Sequence, residues 1–216
     1  MTSHVASSGT LPRPSYDEGR RETIARLEGD LERHMRGLRP RRFEHSLSVA
    51  LTAESLARAY GVDPFVARCA GILHDWDKVL SPSEQLEAAR ELDVDLGVDL
   101  ALVLPLLHGL TAARRLATLY PELPREVFRA IELHTLGSAD MTPLDMVVFV
   151  ADAIEPTRRA SADIEEVRAM VAAGAPLDAV FERMFVAGIA YVLKTRRYLY
   201  TGTIDTYNQL VLARRS

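Results

Sequence analysis

Residues 63–78 read Asp63-Pro64-Phe65-Val66-Ala67-Arg68-Cys69-Ala70-Gly71-Ile72-Leu73-His74-Asp75-Trp76-Asp77-Lys78. Asp63 before Pro64 is a helix opening: the carboxylate can accept first-turn amides, and proline has no amide to leave unpaired there. Val66, Ala70 and His74 then recur at i, i+4 and i+8, an apolar stripe that ends on an imidazole and a carboxylate. Gly61, just upstream, reads as the stop of the preceding helix. The stretch predicts a short helix that delivers a His-Asp pair to its inner end.

Outward from it, the helical period runs from Arg20 almost to the end of the chain, with Ala, Leu, Arg and Glu abundant and β-branched runs scarce. Helices are predicted near 18–36, 43–60, 63–76, 82–91, 97–107, 109–119, 124–134, 143–155, 163–173, 176–195 and 203–213. Thr142-Pro143 opens one of them and Glu155-Pro156 closes it. Its apolar run Met146–Ala151 also fits a buried strand, but its length and caps favour helix. Residues 1–17, rich in Ser, Pro and Gly, are expected to form a disordered tail. With no repeat and no long interior linker, residues 18–216 are expected to form one all-α domain, a single helical bundle.

Charge and cysteine usage exclude several functions. The 216 residues carry 26 basic against 30 acidic groups, a formal charge of −4, which argues against general affinity for nucleic acid. The cleanest apolar run, Ala187 to Leu193, is far too short for a membrane span. The first residues lack the charged and apolar regions of a secretory signal, so a cytoplasmic protein is expected. Cys69 is the single cysteine, which rules out an internal disulfide and a thiolate metal cage. All basic residues except Lys78 and Lys194 are Arg, so each retained Lys draws attention.

Three more of the six histidines and one aspartate join the pair at 74–75. His45 lies on the stripe continued by Val49, Ala53, Leu56 and Tyr60. His134 follows Val127 and Ile131. Asp152 follows Val148 at i+4. His108 falls at the Pro105-to-Gly109 break, where a new helix is predicted to start. Any one inward histidine reads most simply as a hydrogen-bonded core residue. An inward carboxylate is costlier to leave unpaired, and six such groups at inner helix ends have a joint explanation in divalent cations. Imidazole and carboxylate donors suit Fe, Mn, Ni or Zn, and Asp75 is able to bridge two ions.

The order His45 … His74-Asp75 … His108 … His134 … Asp152 resembles the HD-domain metal-dependent phosphohydrolases, whose motif is H…HD…H…H…D on an all-helical fold. Within that superfamily the chain resembles the YqeK family of symmetrical bis(5′-nucleosyl)-tetraphosphatases over residues 20 to 210. The resemblance is carried by Arg42-Phe43-Glu44-His45, Leu73 to Lys78, Leu107-His108-Gly109, His134 to Gly137, Val150 to Arg158, and the terminal Thr203 to Asn208. It implies a di-iron centre that cleaves diadenosine tetraphosphate symmetrically into two ADP. One ion would be held by His45, His74, Asp75 and Asp152, the other by His108 and His134 with Asp75 shared. A hydroxide held between two cations is a nucleophile at neutral pH, and the ions also neutralise charge on the phosphoryl oxygens.

A polyanionic substrate needs local cations. Lys78, three residues after the His-Asp pair, is expected to contact a phosphate or leaving-group oxygen as a point charge, acting with Asp75 in catalysis. Arg158 follows as a bidentate phosphate grip. Arg41 and Arg42 flank His45 and read equally as substrate contacts or as a solvated basic loop. Thr135 and Gly137 are expected to shape the nucleotide pocket. Trp76-Asp77 departs from the family, and Asp77 would repel substrate unless it is turned away or paired. Two alternatives stay open: hydrolysis of another nucleotide or phosphoester, and a nucleotide-binding module without catalysis. The expected partner is a small-molecule dinucleoside polyphosphate or nucleotide, not nucleic acid or membrane, and the long C-terminal amphipathic helix is able to support a homodimer.

Overall fold

The computed structural model describes residues 14–214. Ten α-helices, numbered in chain order, account for most of these: α1 Glu18–Leu31, α2 Pro40–Ala59, α3 Pro64–Leu73, α4 Pro82–Glu91, α5 Leu104–Leu119, α6 Arg125–Leu133, α7 Pro143–Ile154, α8 Ala162–Ala172, α9 Leu177–Lys194 and α10 Thr201–Ala213. No strand occurs among the described residues, so the fold is all-α and the segment Met146–Ala151 is helical. Helices α2, α3, α5, α6 and α7 form the central bundle. Helix α1 lies on α3, α4 on α5, α8 and α9 on α7, and α10 on α9.

The caps follow the sequence signals. Asp63 accepts from the Phe65 and Val66 amides, with Pro64 in the first turn. Thr142 and Asp145 form a reciprocal capping box ahead of Pro143, and Gly61 closes α2 with φ +72°. The first predicted helix ends in a widened π turn, Glu32–Arg36. Of the expected tail, residues 1–13 lie outside the described residues. Tyr16 and Asp17 are held to the fold: the Tyr16 hydroxyl donates to the buried Glu54 at 2.5 Å, and Asp17 caps α1.

The predicted break at His108 is not there. Helix α5 runs unbroken from Leu104 to Leu119, with His108 inside it. Pro105 sits in its first turn, where a missing amide costs nothing. The interruption comes earlier, in an irregular stretch closed by a 3-10 turn at Leu100–Val103. Gly109 serves close packing: a Cβ there would lie 2.9 Å from the Ile131 carbonyl oxygen of α6. Residues Leu100–Leu119 together are long and apolar enough to cross a membrane by length and composition, yet half of that stretch is buried inside the fold.

Small residues set the spacing of the two helices nearest the His-Asp pair. Ala50, Ala53 and Ala57 of α2 and Ala67 and Ala70 of α3 are buried in the same core. A Cβ at Gly71 would stand 2.6 Å from the Ala50 Cα, a contact neither backbone can relieve. Gly71→Ala should therefore cost about 1–3 kcal/mol, the usual range for overpacking, read as a lower urea midpoint. An unchanged midpoint would show that α2 and α3 have slack.

Candidate metal centre

Five helices each bring one part of a single cluster. His45 comes from the second turn of α2, His108 from the second turn of α5 and Asp152 from the last turn of α7. His74 and His134 are the residues that end α3 and α6, and Asp75 follows His74. The four imidazoles and Asp75 are buried; Asp152 is partly exposed. All six predicted ligands are brought together.

One ring nitrogen of each histidine is fixed by a hydrogen bond. Nδ1 of His74 donates to the Gly71 carbonyl at 2.8 Å, that of His108 to Pro105 at 3.0 Å and that of His134 to Ile131 at 2.6 Å. These are i−3 carbonyls, and at the ends of α3 and α6 the bond also satisfies an acceptor that the helix leaves free. His45 Nδ1 donates instead to the Glu155 carboxylate at 2.9 Å. Since each partner only accepts, each Nδ1 carries the proton and each Nε2 presents a lone pair.

Those lone pairs meet other acceptors. His45 Nε2 lies 3.0 Å from Asp152 Oδ1. His108 Nε2 lies 3.1 Å from His134 Nε2 and 3.1 Å from Asp75 Oδ1. His74 Nε2 is buried with no hydrogen-bond partner. Asp75 stands between the two groups: Oδ2 is 3.8 Å from His45 Nε2 and 3.7 Å from His74 Nε2, while Oδ1 faces His108 and His134. Facing acceptors at this spacing are relieved by cations placed among them. Two nitrogen or oxygen ligands about 2.1 Å from one ion, at right angles, stand about 3 Å apart, which is the spacing found. The donor set fits divalent metal ions, with His45, His74 and Asp152 as one group and His74, Asp75 and His134 as another.

Electrostatics favour the neutral form at His134 and His108. Burial pushes the His134 imidazole down to about 3, helped by neighbouring His108 and His74. Burial also lowers His108 against the pull of Asp75. Burial would lower His74 too, but the carboxylates of Asp75 and Asp152 outweigh it and raise that imidazole. For Asp75, burial is overcome by His74 and His108, and for Asp152 by His45, His74 and Arg158. Both carboxyls sit well below the usual carboxylate range.

The predicted substrate contacts divide. The peptide turn from the Asp75 carbonyl to the Lys78 amide, 2.9 Å, brings the Lys78 ammonium near the centre. Burial lowers its pKa, with Asp75 opposing, and it makes no ion pair among the described residues. Arg42 Nη1 donates to Asp75 Oδ2 at 2.9 Å. Arg158 donates through Nε to the Asp152 carbonyl at 2.9 Å and through Nη2 to Asp152 Oδ1 at 2.6 Å. These two guanidiniums thus hold the carboxylates of the cluster. With Arg41, Arg159 and His45 they line a cleft of about 470 Å³. On the other side His134, Asp152 and Arg158 open into a cleft of about 550 Å³. It adjoins an apolar one of about 570 Å³, and Thr135, Leu106, Phe149 and Tyr191 line both. Gly137 lines none of these three clefts. Its φ is +65°, and a Cβ there would lie 2.8 Å from the Phe185 ring, so it acts by seating Phe185.

Asp77 is turned away from the centre. It is buried, and Arg115 Nη1 donates to it at 3.4 Å. Trp76 stacks on His34, with ring centroids 4.0 Å apart and planes 5° from parallel. Sequence reasoning did not assign Glu155 a role, though it stands three residues after Asp152 in a quoted stretch. An acid directly before the proline that ends an inward helix was the available signal.

This constellation on a helical bundle is that of an HD domain, whose family model matches residues 42–157. A symmetrical bis(5′-nucleosyl)-tetraphosphatase of Halalkalibacterium halodurans (strain ATCC BAA-125 / DSM 18197 / FERM 7344 / JCM 9153 / C-125) is 33% identical, over 79% of this chain and 89% of its own. One of Bacillus subtilis (strain 168) is 31% identical, over 89% and 97%. A crystal structure from Clostridium acetobutylicum, described as a predicted HD superfamily hydrolase involved in NAD metabolism, matches with TM-score 0.78 and 30% identity, over 88% of this chain and 97% of that one. The chain belongs to the HD-domain hydrolases and, among them, to the symmetrical bis(5′-nucleosyl)-tetraphosphatase family.

Facing lone pairs make ion binding a source of stability. Adding Mn²⁺ at about 100 times its Kd should contribute about 2.7 kcal/mol, which for a chain of this size raises Tm by about 5–10 °C. Chelation should reverse it, and a Tm indifferent to both would contradict the centre.

Proposed function

We propose that the protein hydrolyses diadenosine tetraphosphate, and related dinucleoside polyphosphates, symmetrically to two ADP. The observation that carries this reading is Asp75, a buried carboxylate with one oxygen toward each of two imidazole groups, in a cluster that reaches one cleft through His45 and another through His134 and Asp152. Divalent ions bound there, with iron the first choice and Mn, Ni or Zn compatible with the same donors, supply an activated water and neutralise phosphoryl charge.

Each residue then has a task. His45, His74 and Asp152 would hold one ion and His108 and His134 the other, with Asp75 offering one oxygen to each group. Lys78, partly buried and without a paired carboxylate, places its ammonium where phosphate or leaving-group oxygens gather charge. Arg42 and Arg158 fix the carboxylate orientations and turn their remaining N–H groups toward the polyphosphate, with Arg41 and Arg159 at the cleft mouth. The adjoining apolar cleft suits a nucleoside, with Thr135 at its junction with the centre and Gly137 acting through Phe185. The mildly acidic chain thus concentrates positive charge at one place. In the same reading residues 18–216 work as one domain in the cytoplasm. Helix α10, which buries none of its residues and exposes Ile204 and Tyr207, supports pairing as a homodimer.

Purified protein with Fe²⁺ or Mn²⁺ should convert diadenosine tetraphosphate to ADP alone, not to ATP plus AMP. His74→Ala and Asp75→Ala should abolish the reaction. ADP no higher than in a metal-free control, across a series of divalent metals, would defeat the proposal. Lys78→Ala should cost about 10²-fold or more in kcat/KM with the metal content unchanged, and Lys78→Arg should not restore it. Wild-type kinetics for Lys78→Ala would remove Lys78 from the reaction.

A further inference from the structure

Three of the four imidazoles lean on a backbone carbonyl; His45 alone leans on a carboxylate. Glu155 is buried and held from several sides, Ser48 being one of its side-chain hydrogen-bond partners. Oε1 accepts from His45 Nδ1 at 2.9 Å and from the Thr157 hydroxyl at 2.7 Å, and Oε2 accepts from the Thr157 amide at 2.6 Å. Pro156 between them ends α7 and helps fix the turn that folds Thr157 back onto the carboxylate. A full negative charge at Nδ1–H makes the opposite nitrogen a stronger donor than a neutral carbonyl does, and such partners commonly govern metal affinity.

We propose that Glu155 is a positioning residue that makes the two ion positions unequal. Through His45 it tightens the position served by His45, His74 and Asp152, which therefore fills before the position served by His108 and His134. The inference rests on the reading of the cluster as a two-ion centre, and it concerns affinity at each position, not substrate. The side chain belongs to neither ligand group, and although it lines the basic cleft beside Thr157, its two oxygens are taken up by hydrogen bonds within the protein. Because an amide has one acceptor oxygen, Glu155→Gln cannot satisfy His45 and both Thr157 donors together. It keeps the volume and removes the charge.

The test is calorimetric titration of metal-stripped protein with MnCl₂. Wild type should take up two equivalents with distinct affinities. Glu155→Gln should weaken the tighter one by about 10–100-fold and leave the weaker within about threefold. His108→Ala should delete the weaker equivalent and keep the tighter. The ¹⁵N resonance of His45 Nδ1 in the ion-free protein should move in Glu155→Gln while those of His74, His108 and His134 stay. Thr157→Val, which removes one hydrogen bond to the carboxylate, should give a smaller loss at the same position, and it decides the matter if Glu155→Gln does not fold. Two equal equivalents in wild type, or a variant that weakens both or neither, would overturn the inference and leave the two-ion centre standing. No Mn²⁺ uptake by wild type would overturn both. Failure to cleave diadenosine tetraphosphate with the affinity split intact would defeat only the substrate assignment.

Discussion

Four buried imidazoles have their protons drawn outward. Gly71, Pro105 and Ile131 carbonyls and the Glu155 carboxylate each accept an Nδ1–H, and four lone pairs are left pointing inward at one another and at two carboxylates. Without cations this is an unfavourable arrangement, because facing acceptors repel and burial removes the water that would separate them. The rest of the molecule can be understood as the scaffold that holds these groups at that spacing. Arg42 and Arg158 partly compensate, each donating to one of the carboxylates, so charge within the cluster is shared before any ion enters.

Holding the spacing demands close backbone approach. Gly71 lets α3 meet α2, and Gly109 lets α5 meet α6. Both lie beside the ligands they serve: the carbonyl of Gly71 accepts from His74, and Gly109 follows His108. Packing and ligand orientation are therefore set by the same few residues. The Trp76–His34 stack and the Asp77–Arg115 pair do related work on the outer side of the 74–78 turn. By turning an acid and a bulky ring away, they leave Lys78 facing the centre as the group best placed for an anion.

The bundle and the ligands were largely legible because their signals are local. The Val66-Ala70-His74 stripe, the Asp63-Pro64 and Thr142-Pro143 caps and the inward Asp152 each need only one helical turn of sequence. Pro105 and Gly109 misled because both residues have two physical meanings. Proline ends a helix or occupies its first turn, and glycine breaks a helix or permits contact between two. Only the position of α6 decides the second case. The role of Glu155 was hidden by distance, since it meets His45 across 110 positions. In the sequence Arg158 reads as a phosphate grip and Arg42 equally as a substrate contact or part of a solvated basic loop, and nothing local shows that each already holds a carboxylate.

The ligands also lie far apart along the chain. His45 and Asp152 are separated by 107 positions, with the other four between them on three further helices. A chain with one buried cysteine has no covalent means of closing so long a loop. Ions gripped by both ends would act as a removable crosslink, and their stabilising effect grows with the length of chain they close. Opening any one of the five helices would then mean giving up the ions, so segments that would fray independently become a single cooperative unit. The same ions that make the chemistry possible would decide how much of the bundle opens at once.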